Sequence, residues 1–316
     1  MPIRIARLVV VVALVSAGVW LHAHKTNARD RRLEAIRKFS QLNWICYAPT
    51  HYNPRLRIYP TDPSIRDDLF LLKSVGFDGV ITYECSGPLE SIASIAHELG
   101  LRVIQGVWGP VDKRELARAV LQHDLVDAYC VGNEGLNLRY TIRELDEGAV
   151  YVSNHTGLPV AISEQVHLYF QDPKLIQMGD WLFPIVHPHF GHARTYAAAT
   201  QWVDTMTTRL QAEAAKLSRP RPLFIKEIGM PSAGDPEYSE ESQAGFLGHM
   251  LAQRKLRFAL FEAFDRSGWE YISPVEPYWG VFHQNRAPKP ILSRLQDLLA
   301  KRRQIAFGRA ANQPAE

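Results

Sequence analysis

From residue 41 onward, short apolar runs alternate with longer stretches of helical periodicity, and this alternation constrains the fold more than any other feature of the sequence. Parallel strands that are covered on both faces are nearly continuous apolar runs, and a helix returns the chain from each strand to the next. Eight runs have this character: 44–48, 77–83, 103–108, 128–132, 160–163, 181–186, 223–227 and 258–264. Eight strand–helix units within residues 41–307 predict an α/β fold, a (β/α)8 TIM barrel, which typically needs ~250 residues.

A doubly wound open sheet is the alternative fold. Such a sheet binds a nucleotide through a glycine-rich turn after its first strand. The segment that follows the first predicted strand, CYAPTHYNP (46–54), contains no glycine. The barrel is therefore favoured, and no cofactor is expected.

An uncharged apolar run of 14 residues, LVVVVALVSAGVWL (8–21), lies between basic residues near the N-terminus. It is shorter than the ~17–25 residues of a spanning helix, and no small-x-small cleavage site follows it. We expect residues 1–25 to be a signal anchor, that is, an N-terminal hydrophobic anchor helix, with a cleaved signal peptide as the alternative. The membrane would then be contacted through residues 8–21. The barrel would lie outside the cytoplasm, in the periplasm or extracellular space, and it would be secreted if the signal is cleaved.

The remaining segments outside the barrel are polar. Residues 26–40 (TNARDRRLEAIRKFS) have the composition of a polar, helix-prone stalk. Residues 41–307 form the predicted catalytic barrel, and residues 308–316 are expected to be a disordered tail.

The net charge of +3 conceals an uneven distribution. Residues 1–40 carry eight Lys and Arg against two acidic residues, whereas residues 41–299 carry 24 basic and 30 acidic residues. A net charge of −6 over the predicted barrel makes a nucleic acid an improbable partner. The three cysteines, Cys46, Cys85 and Cys130, lack metal-site spacing and are expected to be buried free thiols.

Two glutamates end strands on opposite sides of the predicted barrel. The fourth strand ends in Asn133 and Glu134, and the seventh ends in Glu227. Catalytic residues of such barrels lie at the carboxyl ends of the strands, and two carboxyls facing each other suit glycoside hydrolysis. The alternative is a structural salt-bridge network that includes Lys226.

Five local sequences resemble glycoside hydrolase family 17, the family of β-1,3-glucanases and related β-glucanosyltransferases. They are ICYAP (45–49), VGNE (131–134), KEIGMPS (226–232), FEAFD (261–265) and VEPYWGVFHQNRAPK (275–289), in the family's order over residues 42–290. The resemblance implies a retaining clan A barrel, with Glu134 as the general acid/base and Glu227 as the nucleophile. It also implies that Asn133 hydrogen-bonds the sugar 2-hydroxyl.

Retaining hydrolysis needs two different carboxyl groups. Glu134 must be protonated near neutral pH, so burial and the charge of Glu227 must raise its pKa. Glu227 must stay ionised, and Tyr83, His187 and His189 are candidate donors to it.

The other expected substrate contacts come from aromatic and polar residues near strand ends, because aromatic rings bind the apolar faces of sugars. The residues placed at the sugar site are Tyr47, Tyr83, Trp108, His187, His189, Phe190, Asp265, Trp269 and Glu276. After FEAFD the family tends to have an acidic residue, then Trp, then Lys. Here Arg266 precedes Trp269 and Glu270 follows it, so the two charges are exchanged. A structural ion pair is an equally good interpretation of Glu276.

Three functions are consistent with these features. The first is a monomeric, retaining enzyme that hydrolyses or transglycosylates β-1,3-glucan, or a β-1,6-linked glucan. The second is a catalytically weak glucan-binding barrel. The third is a metal-dependent hydrolase using the histidines of VHPHFGH (186–192); it is disfavoured because no Cys or carboxylate cluster accompanies them, and no metal site is expected.

Deleting residues 1–25 should release a soluble, folded and active enzyme, because the predicted barrel begins after this segment. Membrane fractionation of the full-length and truncated proteins, with circular dichroism of the truncated protein, measures the effect. A truncated protein that is unfolded or remains with membranes would contradict the anchor.

Overall fold

The computed structural model describes residues 28–253 and 255–311, and in this part of the chain a parallel β-sheet forms the centre of the molecule. Its seven strands are β1 (Trp44–Cys46), β2 (Gly79–Ile81), β3 (Arg102–Val107), β4 (Ala128–Val131), β5 (Val160–Ile162), β6 (Ile225–Ile228) and β7 (Phe258–Leu260). The order across the sheet is β5-β4-β3-β2-β1-β7-β6, and every neighbouring pair is parallel. The predicted α/β class with a parallel sheet is confirmed, but the described residues form a curled sheet of seven regular strands and not the predicted eight.

The predicted strand at 181–186 is not a regular strand. It lies between β5 and β6 and makes only isolated parallel bridges, Gln165 with Ile185, Leu182 with Leu223, and Ile185 with Glu227. Pro184 interrupts the segment and has no N–H to donate, which prevents a continuous ladder. The segment nevertheless connects the two edges of the sheet.

Helices connect most of the strands. They are α1 (28–39), α2 (Asp62–Ser74), α3 (Ile92–Glu98), α4 (Lys113–Leu121), α5 (Ile142–Thr156), α6 (Val166–Gln171), α7 (Lys174–Gln177), α8 (Tyr196–Ala215), α9 (Glu240–Ala252) and α10 (Leu292–Ala311). Local sequence sets their ends: Thr141 and Glu144 form a capping box at the start of α5, and Gly157 ends it in the left-handed region with φ 70°.

Helix α1 packs against the amino ends of the strands. Ile36 and Phe39 are buried, and the Phe39 ring contacts Trp44 and Trp181 with centroids 6.1 and 5.4 Å away. The Trp44 indole N–H donates to the Phe39 carbonyl at 2.7 Å. Residues 28–39 of the segment predicted as a polar stalk are therefore helical, and the last of them belong to the folded body, because one apolar face covers the sheet.

The structure bears differently on the predictions for the two ends of the chain. The predicted anchor (8–21) lies outside the described residues. Within residues 28–253 and 255–311, no helix has the length and apolar character needed to span a membrane. Helix α10 continues to Ala311, so residues 308–311 are helical although we predicted a disordered tail from residue 308.

Truncating Phe39 to alanine should lower the free energy of unfolding by ~3 kcal/mol, because it leaves a cavity among Trp44, Trp181 and Phe224. Denaturant unfolding measures the change. Lys38→Ala on the exposed face of the same helix is the control and should cost less than ~0.5 kcal/mol. Equal stabilities of the two variants would contradict this packing role of α1.

Candidate active site

A cavity of about 660 Å³ opens at the carboxyl ends of the strands. Asn133 and Glu134 reach it from the end of β4, and Glu227 reaches it from β6. The two glutamates, far apart in sequence, therefore face one cavity, because parallel strands in a curled sheet all end on the same side.

The backbone after β4 turns sharply to present Glu134. Gly132 has φ 74°, where a Cβ would lie 2.5 Å from Leu145 Cδ1, and Glu134 itself has φ 48°. The Glu134 N–H donates to the Ser163 carbonyl at 3.2 Å, and Gln165 Nε2 donates to Glu134 Oε1 at 2.8 Å. A left-handed conformation at a residue other than glycine is uncommon and is held here by these contacts.

Glu134 has the electrostatic environment of a proton donor. Burial raises the pKa of its carboxyl, and the negative charge of Glu227 raises it further. His187, Gln165 and Lys226 oppose this shift without reversing it.

Strand β6 carries two successive buried, charged side chains beside the site. The register between β6 and β7 shifts between Ile225 and Ile228, and such a shift turns neighbouring residues away from strict alternation. Lys226 and Glu227 are both buried, and Lys226 Nζ donates to Glu227 Oε1 at 2.8 Å.

Glu227 is surrounded by donors. The Tyr83 hydroxyl donates to its Oε1 at 3.2 Å, and His187 Nε2 lies 3.1 Å from its Oε2. Burial alone would raise the pKa of Glu227, but Lys226 and His187 outweigh burial and lower the pKa to about 2. The two site carboxyls are thus shifted in opposite directions by their surroundings.

Two further carboxyls, those of Glu262 and Glu276, share one arginine beside this pair. Arg266 Nε donates to Glu262 Oε1 at 3.0 Å, and its Nη2 donates to Glu276 Oε1 at 3.3 Å. Burial raises the pKa of Glu262 to about 8, against the opposing charge of Arg266. Burial likewise raises the pKa of Glu276, which lines the cavity and is ion-paired as well. The exchanged charges of the Trp269 loop therefore place Arg266 between two carboxyls.

Aromatic rings line the walls of the cavity. Trp108 and Phe190 remain 40% and 49% exposed, and Arg139 covers one Trp108 face with its guanidinium carbon 3.7 Å from the ring. Trp269 stacks on Tyr271 with centroids 6.0 Å apart. The Tyr47 ring also lines the cavity, while its hydroxyl donates to Asp68 at 3.0 Å.

Two of the predicted site residues lie elsewhere. His189 hydrogen-bonds the Tyr238 hydroxyl at 2.8 Å and does not line the cavity. Asp265 is buried outside it, where it pairs with Lys289 at 2.7 Å and accepts from the Gly280 N–H at 2.9 Å.

The histidines of residues 186–192 do not converge. His187 faces Glu227, whereas His189 faces Tyr238. In the part of the chain that the structure describes, no three His, Cys, Asp or Glu side chains are grouped as metal ligands.

Sequence reasoning did not identify Gln165, Glu262 or Arg139 as members of the site. Glu262 lies within the predicted eighth strand, and a charged residue inside an apolar run was the available signal. Gln165 and Arg139 lie in loops, where nothing in the sequence distinguishes them from solvated residues.

The fold and the site can now be compared with known proteins. The family model of the BtgE/BtgC glycoside hydrolase domain matches residues 44–280. No curated protein matches the chain significantly.

Several solved structures have a similar fold. An active-site mutant of Rhizomucor miehei β-1,3-glucanosyltransferase in complex with laminaritriose is 22% identical, covers 79% of this chain and 96% of its own, and has a TM-score of 0.65. CJP38, a β-1,3-glucanase and allergen of Cryptomeria japonica pollen, is 14% identical over 79% of this chain and 98% of its own, with a TM-score of 0.60. GH5_18 from Bifidobacterium longum is 17% identical over 83% of this chain and 79% of its own, with a TM-score of 0.60.

Replacing Glu227 with glutamine should lower the pKa of Glu134, because a nearby negative charge is removed while burial is unchanged. Carbon NMR titration of labelled glutamate side chains measures it. The same replacement at the exposed Glu241 of α9 is the control and should leave the titration of Glu134 unchanged. An unchanged pKa in Glu227→Gln would show that the two carboxyls are not coupled.

Proposed function

The chain belongs to the BtgE/BtgC glycoside hydrolase domain family, and on this basis we propose that it is a retaining β-glucan-active enzyme of the family 17 type. Its substrate is a β-1,3-glucan, with a β-1,6-linked glucan as the second candidate. The observation that carries the proposal is the pair of carboxyls at one aromatic-lined cavity, with the pKa of Glu134 raised and that of Glu227 lowered.

In the first step, a Glu227 carboxylate oxygen forms a bond to the anomeric carbon. The bond from that carbon to the leaving-group oxygen breaks, and the leaving oxygen takes the proton of Glu134. Both shifts act in the direction this step requires, because the raised pKa of Glu134 favours its protonated form and the lowered pKa of Glu227 favours its ionised form.

In the second step, a hydroxyl oxygen attacks the anomeric carbon and the bond to Glu227 breaks. Its electron pair returns to the carboxylate, and Glu134 accepts the proton of the attacking hydroxyl. Water as the attacking group gives hydrolysis, and a sugar hydroxyl gives transglycosylation. Two inversions at the same carbon retain the β configuration.

The aromatic walls support a sugar polymer as the substrate. Trp108, Phe190 and Trp269 present rings to the cavity, and burial of sugar C–H surface against such rings is the usual mode of carbohydrate binding. The similarity to a β-1,3-glucanosyltransferase that was solved with laminaritriose favours a β-1,3-linked chain.

The location that we propose for the enzyme rests on the N-terminal sequence alone. Residues 8–21 would hold it at the cell membrane, with the site outside the cytoplasm, where a glucan polymer is accessible. The truncation described above tests this part independently of the chemistry.

Glu227→Ala should lower turnover of an activated aryl β-glucoside and of laminarin by at least ~10³-fold, because the covalent intermediate no longer forms. Azide should restore activity on the aryl glucoside and give an α-glycosyl azide, since the small anion fills the vacated space and attacks from the same face. The matched control is Glu241→Ala, which removes an exposed carboxyl of α9 and should retain full turnover.

Two results would overturn the assignment. Near-normal turnover by a folded Glu227→Ala protein would exclude Glu227 as the nucleophile. A first-formed product with the α configuration from the unaltered enzyme, observed by proton NMR, would exclude the retaining mechanism.

A further inference from the structure

Lys226 is a buried cation in direct contact with two site residues. Its side chain is 1% exposed, and its Nζ donates to Glu227 Oε1 at 2.8 Å and also to Asn133 Oδ1. The Tyr83 ring covers it, with its centroid 4.4 Å from Nζ. Both residues that Lys226 contacts, Glu227 and Asn133, line the substrate cavity, which an ion pair that served only stability would not require.

The contact with Asn133 fixes which end of that amide faces the cavity. A lysine ammonium donates hydrogen bonds and accepts none, so only the amide oxygen of Asn133 can lie against it. The Nδ2 group is consequently the end left for a ligand, and Asn133 lines the cavity. Asn133 therefore offers a donor, and the sugar hydroxyl it meets is left free to donate its own hydrogen to Glu227.

The contact with Glu227 bears on the covalent intermediate. When the carboxylate oxygen bonds to the anomeric carbon, its negative charge disappears and Lys226 becomes a buried cation without a counter-charge. Breaking that bond returns the electron pair to the carboxylate and restores the ion pair. Buried charges are stabilised mainly by their partners, so the ammonium opposes formation of the ester and favours its breakdown.

We propose that Lys226 is a positioning residue that holds the Asn133 amide in its donor orientation and shortens the lifetime of the glycosyl–enzyme on Glu227. This inference rests on the proposed retaining function and adds to it the control of one of its two steps. A charge partner at hydrogen-bonding distance changes the preference for the ionised carboxylate by ~10- to 1000-fold, which sets the size of the expected effect.

Other titratable groups face this pair from the neighbouring elements and limit the effect of Lys226. They are Cys46 on β1, Tyr83 after β2, Cys130 on β4, Glu134 after β4, His187 before α8, and Glu262 and Glu276 after β7. Of these groups, His187 and Tyr83 stabilise the ionised form of Glu227 by direct hydrogen bonds. Removing Lys226 therefore weakens the stabilisation of the carboxylate without abolishing it.

The test compares Lys226→Met with Lys289→Met. Methionine retains the length of the side chain and removes the charge. Lys289 is an equally buried lysine, 2% exposed and paired with Asp265 at 2.7 Å, but it lies outside the cavity. Both substitutions remove a buried cation, so a general loss of stability should affect both proteins.

Rapid-quench kinetics with an activated aryl β-glucoside give the rates of formation and breakdown of the glycosyl–enzyme, and mass spectrometry detects the adduct on Glu227. We expect Lys226→Met to lower the ratio of breakdown to formation at least about tenfold, so that the adduct accumulates. Lys289→Met should change this ratio less than twofold. The ratio is informative because a general loss of folded enzyme lowers both rates equally.

The pH profile of kcat/KM supplies a second readout. Glu227 must be ionised to attack, and loss of the positive charge raises its pKa, so the acid limb should move to higher pH by ~1–3 units in Lys226→Met. Lys226→Gln, which restores an amide donor but no charge, should show the same displaced limb.

The possible outcomes separate the two proposals. If an adduct on Glu227 forms in neither the unaltered enzyme nor a folded Lys226→Met protein, the proposed function fails. If an adduct forms, and the rate ratio and acid limb of Lys226→Met match those of Lys289→Met, the role of Lys226 is overturned and the function stands. If Lys226→Met does not fold, an unmoved acid limb in Lys226→Gln overturns the role.

Discussion

The site depends on one electrostatic constraint: a glutamate buried at the end of β6 must keep its charge. Glu227 is 1% exposed, and burial of that kind alone would favour its neutral form. Lys226, Tyr83 and His187 each direct a hydrogen atom or a charge at its oxygens. These three come from different parts of the curled sheet, so the geometry of the whole sheet is needed to keep a single carboxylate ionised.

The charge of Glu227 also makes the environment of the second carboxyl, that of Glu134, different from its own. Once Glu227 is ionised, its negative charge adds to the burial of Glu134 and favours a proton there. Glu134 has one side-chain donor, Gln165, where Glu227 has three. The different roles that we propose for the two glutamates therefore rest on unequal numbers of donors around two chemically identical groups.

Much of this arrangement could be predicted from the sequence, because it depends on strand order. Apolar runs at regular spacing indicate parallel strands, and a glutamate at the end of such a run must lie at their carboxyl ends. Positions that depend on departures from regular geometry could not be predicted. The register of β6 is irregular where Lys226 contacts Glu227 and Asn133, and Pro184 interrupts the segment between β5 and β6. Asp265 lies outside the cavity, while Glu262 lies beside it. For α1, the polar composition concealed two apolar residues, Ile36 and Phe39, spaced to share one helical face.

The buried charges of the site contribute little to the stability of the fold, which comes from apolar contacts elsewhere in the molecule. Glu262 and Glu276 both pair with Arg266, so one cation lies between two carboxyls. Lys226 pairs with Glu227 and also donates to the neutral amide of Asn133. Replacing buried ion pairs by apolar groups of equal volume is often neutral or stabilising, so the presence of these ion pairs is not evidence that they stabilise the fold. The compensating apolar contacts lie at the amino ends of the strands, where α1 packs its aromatic residue against the sheet. Since the candidate catalytic residues and the stabilising residues occupy opposite ends of the same strands, the charges of a loop at the carboxyl ends, such as the loop containing Arg266, can change without disturbing the packing that holds the sheet together.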